Sequence, residues 1–316
     1  MLFLGTTIDG LQMGLCFAIL ALGMYISYSI LDFPDLTMDG SFPLGGVVCT
    51  VLLFRTGMPP VLAILLAGIV GAGAGAVTGL LHVKLKITPL LSAIITMTGL
   101  LSVTLALTQL LTEQGNTTTI FSYRGAGVKG LFDVNLTGYA KDAVIIAILL
   151  AAVIAIKVLL DLFFSTKLGY MLKASGSNGR VVIALGKDVG TYKILGLSLA
   201  NALASMSGAV YAQYYASYDN TCGSGKVVLA LASVIIGLAL FSQARRVKDT
   251  TAVIIGAVIY SLCLNYLVLV DENGIYLKLL NAVLFAIILV CNDKLTALLA
   301  KISNRKAHAK AGRDAS

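Results

Sequence analysis

Charge is scarce in this chain. Asp, Glu, Lys and Arg together make up 12% of its 316 residues, against about a quarter in ordinary globular domains. With 58% hydrophobic residues and a mean hydropathy of +0.93, that scarcity excludes a soluble globular protein and indicates an all-α, polytopic membrane protein. Histidine is scarcer still: His82 at the edge of an apolar run and His308 in the tail form neither a metal-ligand pair nor a Ser-His arrangement, so no catalytic constellation is present. The reading is a non-enzyme, with no metal site.

The five cysteines form no CysXxxXxxCys pair. Cys16, Cys49, Cys263 and Cys291 fall within apolar runs, which speaks against a disulfide framework or a zinc site and leaves them as packing residues. A complete phosphate-binding loop is also missing. Cys222 to Lys226 reads CysGlySerGlyLys, but Asn220 stands where the pattern needs Gly, and Val227 where it needs Ser or Thr. ATP hydrolysis is therefore not assigned to this chain. Residues 1–10 hold no Lys or Arg, and the apolar run that follows exceeds a signal-peptide core, so an uncleaved first membrane helix is expected. The net charge of +8 does not indicate nucleic acid, because the basic residues sit in short gaps between apolar runs and in the tail, without interleaved aromatics.

What is present is long apolar runs. A membrane helix needs roughly 20 mostly apolar residues, and nine candidates emerge: residues 8–31, 42–54, 60–82, 88–111, 143–164, 191–214, 227–241, 250–270 and 276–292. The second and seventh are short, so each is expected to be broken or tilted, the second in particular broken. Residues 1–300 form one transmembrane domain and residues 301–316 a basic tail that touches anionic lipid. Placing that tail in the cytoplasm gathers most Lys and Arg inside, leaving Arg55, Arg124, Lys129, Lys141, Lys226 and Lys278 outside. By the positive-inside rule the N-terminus is then outside and the C-terminus inside.

Several local patterns carry structural expectations. Gly71, Gly75 and Gly79 recur every four residues, a small-residue stripe that lets helix backbones approach closely. Lys157 and Asp161 form an i,i+4 pair near the inner end of the fifth helix. Tyr211, Gln213, Tyr214, Tyr215 and Tyr218 read as an interfacial aromatic belt. Residues 113–142 are polar and rich in Gly, Thr and Asn, with glycosylation-type sequons at Asn116 and Asn135, and form an outer segment suited to receiving a delivery protein.

Residues 31–46 hold Asp32, Asp35, Asp39, Pro34, Pro43 and Gly40. One reading is a turn in which Asp39 or Ser41 caps the second helix and Pro43 sits in its first turn. The other is a discontinuous element in which Asp35, Thr37, Asp39, Gly40 and Ser41 line a translocation pathway, since irregular polar backbone at membrane depth survives only where protein or a water-filled cavity satisfies it.

Between residues 164 and 192 lies a run with Lys167, Lys173, Arg180 and Lys187, with Lys193 just beyond, against the single acid Asp188. Its glycines bracket a short amphipathic helix. A loop of this composition in a membrane protein is a docking surface facing the cytoplasm, which points to a transport subunit driven by a partner.

This run also carries a resemblance. ThrLysLeuGlyTyr, then Ala174, Gly176, Asn178 and Gly186, followed by Lys193 and the Ser207-Gly208 pair, resemble the cytoplasmic signature of ABC-importer permeases of the branched-chain amino acid and ribose type. AspLeuThrMetAspGly at 35–40 is similar to the stretch that begins the broken second helix of the sugar members. The wording of residues 31–46 resembles a bacterial subgroup labelled as tryptophan or tyrosine permeases. The resemblance implies that Gly169, Ala174, Gly176, Asn178, Arg180, Gly186 and Lys187 belong to a coupling helix for a cytoplasmic ATP-binding subunit. It further implies a homodimer in the bacterial cytoplasmic membrane, an extracellular solute-binding lipoprotein, ATP and Mg in the partner only, and a small solute such as an aromatic amino acid. Gly179 and Arg180 replace an acidic pair common in that helix, and Val182 replaces a small alanine. The competing reading is an ion-coupled secondary transporter using Asp32, Asp35 and Asp39.

Overall fold

The computed structural model describes residues 2–111, 120–122, 130–133, 138–241, 247–269, 279, 281–286 and 290. Among the described residues ten helices carry the fold: α1 Leu2–Met24, α2 Met38–Thr56, α3 Pro60–Val83, α4 Pro89–Gln109, α5 Tyr139–Phe164, α6 Lys167–Ser177, α7 Gly179–Ala184, α8 Val189–Tyr215, α9 Lys226–Phe241 and α10 Asp249–Val268, with further helical residues at 281–286. A π-helical turn, Tyr25–Ile30, prolongs α1, and a 3-10 turn, Asn220–Gly223, precedes α9. Two three-residue strands, β1 Ile120–Ser122 and β2 Ser217–Asp219, pair antiparallel with Phe121 opposite Tyr218. Among the described residues eight helices are long and apolar enough to cross a membrane. Most of the ninth candidate, the basic tail, Cys291, Asn116, Asn135, Arg124, Lys129 and most of the 113–142 segment lie outside the described residues.

Burial sorts these helices into layers. The α1 span is 83% buried, α2 67% and α8 61%, whereas α4 and α5 reach only 22%, so the first three form the centre and the last two the periphery. Outward residues there are apolar, with Leu91, Leu159 and Leu162 all exposed, as a lipid-facing surface requires. Polar side chains on α4 are satisfied locally: Thr96, Thr104 and Thr108 donate to carbonyls three or four residues back, at 3.0, 2.8 and 2.6 Å, an arrangement that hides a hydroxyl inside an apolar helix.

The glycine stripe of α3 packs within the chain, against α8. A Cβ at Gly71 would stand 2.6 Å from the Asn201 carbonyl, one at Gly79 2.8 Å from the Ile194 Cα, and one at Gly75 would overlap the Leu197 carbonyl. From the other side, α2 approaches α8 through Gly45 and Gly208, each of which has a carbonyl of the facing helix where a Cβ would go.

The second helix corrects the expectation of a break. α2 runs without interruption through Pro43, which sits in its second turn; the irregular backbone lies before it, in residues 31–37. Pro43 cannot donate to the Asp39 carbonyl, and Gly223 packs against that carbonyl and the proline ring. The short apolar window at 42–54 arose because Asp39, Ser41 and Pro43 occupy the first two turns. The seventh span, expected to be broken or tilted, is α9, which runs without a break over Lys226–Phe241. Gly223 meets Asp39 and Pro43, while the neighbouring Phe42 meets Gly208, seven residues before the end of α8. At 1.5 Å per residue the connection thus folds back by roughly 10 Å, so α9 starts inside the bundle.

Candidate functional site

Three features carry functional weight: the α6–α7 unit at one end of the bundle, the buried connector at residues 31–41, and the start of α9. The α6–α7 unit begins where Thr166 caps α6, accepting from the Gly169 amide at 3.2 Å, and ends where Asp188 caps α8, accepting from Gly190 at 3.0 Å and Thr191 at 3.2 Å. The Gly190 amide first, and then the Thr191 hydroxyl, which donates at 3.0 Å, hold the Asp188 carboxyl below its ordinary range. Gly186, at φ +69, turns the chain between α7 and that cap, a conformation glycine adopts without steric cost.

The expected coupling residues divide by face. Asn178, Arg180, Gly186 and Lys187 are exposed, alongside Val181, Ile183 and Leu185, of which Ile183 is 66% exposed. Gly169 and Gly176 anchor the unit instead, and Ala174 is half-buried. A Cβ at Gly169 would overlap the Phe163 carbonyl, and one at Gly176 would overlap the Ile30 carbonyl at the end of the π turn. Leu172 of α6 and Leu31 both meet Gly196 of α8. α6 therefore bears directly on the junction of α1 with the connector.

Within the connector the polar residues are locked to one another. Asp35 accepts from the Thr37 amide at 2.9 Å and from Asn201 Nδ2 at 2.7 Å. Ser41 donates to Asn201 Oδ1 at 2.7 Å, and the Thr37 and Thr78 hydroxyls lie 2.8 Å apart. Asp35, Thr37, Ser41 and Asn201 are all buried, and Gly40 packs on Met97 and Leu100 of α4. One amide, Asn201, thus joins the connector, α2 and α8. Asp32 is exposed, at φ 52. Asp32, Asp35 and Asp39 have separate surroundings, and among the described residues no group of three or more His, Cys, Asp or Glu is placed to hold a metal.

Asp39 caps no turn of its own helix. Its carboxylate accepts from the amides of Gly225 at 3.3 Å and Val227 at 2.7 Å, so a side chain of α2 caps the distant helix α9, with Gly225 at φ +81 turning the chain into position. Lys226, expected in an outer gap, lies instead among rings: its Nζ is 4.4 Å from the centroid of Phe17, 5.1 Å from Tyr211 and 5.8 Å from Phe42. The connection folds inward before α9, so the lysine does not lie in a surface gap. The tyrosines are likewise not a belt. Tyr218 is fully buried against Gly46, Tyr211 stacks on Phe17, and Tyr214 donates to Gln12 at 2.7 Å.

The Lys157–Asp161 pair forms at 3.1 Å and is part of something larger. Asp161 also takes Lys248 at 3.1 Å and the Thr250 hydroxyl at 2.8 Å, while Tyr25 donates to Asp249 at 3.0 Å. These contacts tie the ends of α1 and α5 to the start of α10 and line a cavity of about 400 Å³ that also touches Lys173 of α6. Sequence reasoning missed Asn201, Thr78 and the role of Lys226. The available signals were a single Asn in the middle of a membrane-length helix and a Lys placed directly before an apolar run.

A bundle of this kind, with an exposed basic and apolar helix pair leaning on its core, has relatives. The family described as branched-chain amino acid transport system permease component matches residues 6–291. The chain belongs to that family. This permease is 37% identical over 303 residues to the tyrosine transport system permease protein of Clostridioides difficile, covering 96% of its own length and 95% of the relative. It is 29% identical over 292 residues to the ribose import permease protein RbsC of Bacillus subtilis, covering 92% and 83%. An uncharacterised protein of Rickettsia prowazekii is 30% identical over 286 residues, covering 88% of the permease and 95% of the relative. No solved structure matches it.

Proposed function

We propose that this permease is the membrane subunit of a bacterial ABC importer, working as a homodimer in the cytoplasmic membrane. Cytoplasmic ATP-binding subunits, which hold the ATP and Mg, engage α6–α7, and an extracellular binding lipoprotein delivers a small solute. The solute is an amino acid, with an aromatic one favoured by the tyrosine transport relative. In this reading the α6–α7 end faces the cytoplasm, the N-terminus lies outside and the C-terminus inside, as the gathering of Lys and Arg around that end supports.

The observation that carries the reading is the seating of Gly176 on the Ile30 carbonyl, beside a face where Ile183 and Arg180 stand exposed. Closure of the ATP-binding subunits displaces α6–α7. Because Gly176 leaves no compliant side chain between α6 and α1, the displacement reaches the π turn and residues 31–37. From there the Asp35–Asn201–Ser41 bonds carry it to α8 and α2, and the pathway beside Asp35, Thr37, Asp39, Gly40 and Ser41 opens on alternate sides. This is a packed, two-arrangement linkage of the kind that amplifies small shifts.

Uptake of labelled tyrosine, tryptophan, leucine and ribose by sealed vesicles carrying the complete transporter tests the reading. Uptake of an amino acid that needs ATP and persists with an ionophore is expected. Uptake that collapses with the ionophore and survives loss of the ATP-binding subunit would overturn it in favour of ion coupling through the Asp residues.

A further inference from the structure

We propose that Lys226 reads the carboxylate of the transported solute, making the start of α9 a recognition point for acids over neutral sugars. The inference rests on the transport reading above and adds a solute class to it. Its basis is the condition of one ammonium group. Nζ makes no hydrogen bond or ion pair with any described residue, and its contacts are the faces of Phe17, Phe42 and Tyr211. Ring faces attract a cation, but they accept none of the three N–H bonds that an ammonium offers. The group is held in place with no hydrogen-bonded anion among the described residues.

The nearby carboxylate does not fill that gap. Asp39, whose charge acts on Lys226, is held by the amides of Gly225 and Val227. It therefore stabilises the turn that positions the lysine while the ammonium stays available. Lys226 also borders a cavity of about 240 Å³, where Ser224 and Asn265 add polar atoms and Met13, Leu229 and Val268 an apolar wall. The cavity lies between α1, α9 and α10, away from α6–α7.

A carboxylate entering this cavity meets a positive group, with which it can form a charge-assisted hydrogen bond. A neutral solute leaves the ammonium without a counter-charge, and sites built around a charged or polar partner discriminate strongly against ligands that lack the matching group. This separates an amino acid from a sugar by one residue at the start of one helix.

The chain contains no tryptophan, so indole fluorescence reports a bound ligand without background from the protein. The test uses the full chain alone in detergent micelles with three probes: tryptophan, indolepropionate, which keeps the carboxylate and lacks the amine, and tryptamine, which keeps the amine and lacks the carboxylate. Tryptophan and indolepropionate are expected to give saturable signals that leucine competes away, and tryptamine none. Lys226→Met is expected to weaken the two acids by about tenfold or more, the loss of one charge-assisted contact, while Lys226→Arg, which keeps the charge, binds within a few-fold of wild type. Monodisperse elution of both variants shows that they are folded. Tryptamine binding as well as tryptophan, wild-type binding by a folded Lys226→Met, or no saturable signal from either acid at millimolar concentration would each overturn the inference. Since no ATP or receptor is present, such a failure leaves the coupling reading standing, and that reading fails instead on the vesicle uptake.

Discussion

Gly176 of α6 rests on the backbone of Ile30, so close that a methyl group on its Cα would overlap the Ile30 carbonyl oxygen. The residue on one side belongs to an exposed helix pair, and the residue on the other ends the first membrane helix. In the proposed mechanism this backbone contact is what passes a displacement of α6 on to α1.

Replacing Gly176 with valine forces α6 away from α1. Overpacking of this sort costs about 1–3 kcal/mol, and the loss of transport should exceed what the stability change explains. Uptake and thermal unfolding of the same preparation, compared side by side, check this. Wild-type uptake by a folded Gly176→Val protein would show that the contact carries no motion.

Asn201 is the single amide that joins Asp35 to Ser41. In Asn201→Ala the Asp35 carboxylate stays buried with one bond fewer, at a cost of about 1–3 kcal/mol. Asn201→Asp should be worse, because it places a second carboxylate against the first. Melting temperatures in detergent of the two variants and of Ser41→Ala give the order. Coupling between Asn201 and Ser41 in a double-mutant cycle should exceed about 0.5 kcal/mol.

Asp39→Ala removes the cap on α9. Loss of such a cap costs about 0.5–2 kcal/mol, and Asp39→Asn, which keeps an acceptor oxygen, should recover part of it. Since the cap positions Lys226, Asp39→Ala should also weaken binding of carboxylate probes more than it lowers the melting temperature. Equal effects of Asp39→Ala and Asp39→Asn would show that hydrogen-bond acceptance is not what matters.

Asp188 is held below the ordinary carboxylate range by the Gly190 amide and the Thr191 side chain. A depressed folded value means that its contribution is present above the unfolded value, about 3.9, and fades as pH falls through the lower folded one. The melting temperature of wild type should therefore approach that of Asp188→Ala as pH is lowered below about 4. A gap between them that does not narrow on acidification would remove the capping argument.

Much of the architecture was legible in the sequence because lipid leaves so few options. Each span must satisfy its own backbone, so long apolar runs announce α3, α4, α8 and α10 to within about two residues at each end, and α1 and α5 with starts placed too late. α2 was read too short because its first two turns hold Asp39, Ser41 and Pro43, which satisfy neighbours that no hydropathy window contains. Lys226 was misplaced for a related reason: counting basic residues assumes that connections lie at the membrane surface, and this one folds inward to meet Asp39. The bond from Asp39 to the Val227 amide and that from Asn201 to Asp35 link residues far apart in sequence. No local pattern signals such pairs. The glycine stripe of α3 was visible as spacing, whereas its partner helix was fixed only by packing.

The central claim is that the face bearing Asn178, Arg180 and Ile183 meets an ATP-binding subunit in the cytoplasm. A protein whose other cysteines are replaced, carrying Asn178→Cys, can be treated with a membrane-impermeant thiol reagent in intact cells and in inverted vesicles with and without that subunit. No labelling in intact cells, labelling in stripped inverted vesicles and protection when the subunit is restored are the results expected. Labelling in intact cells would contradict the account.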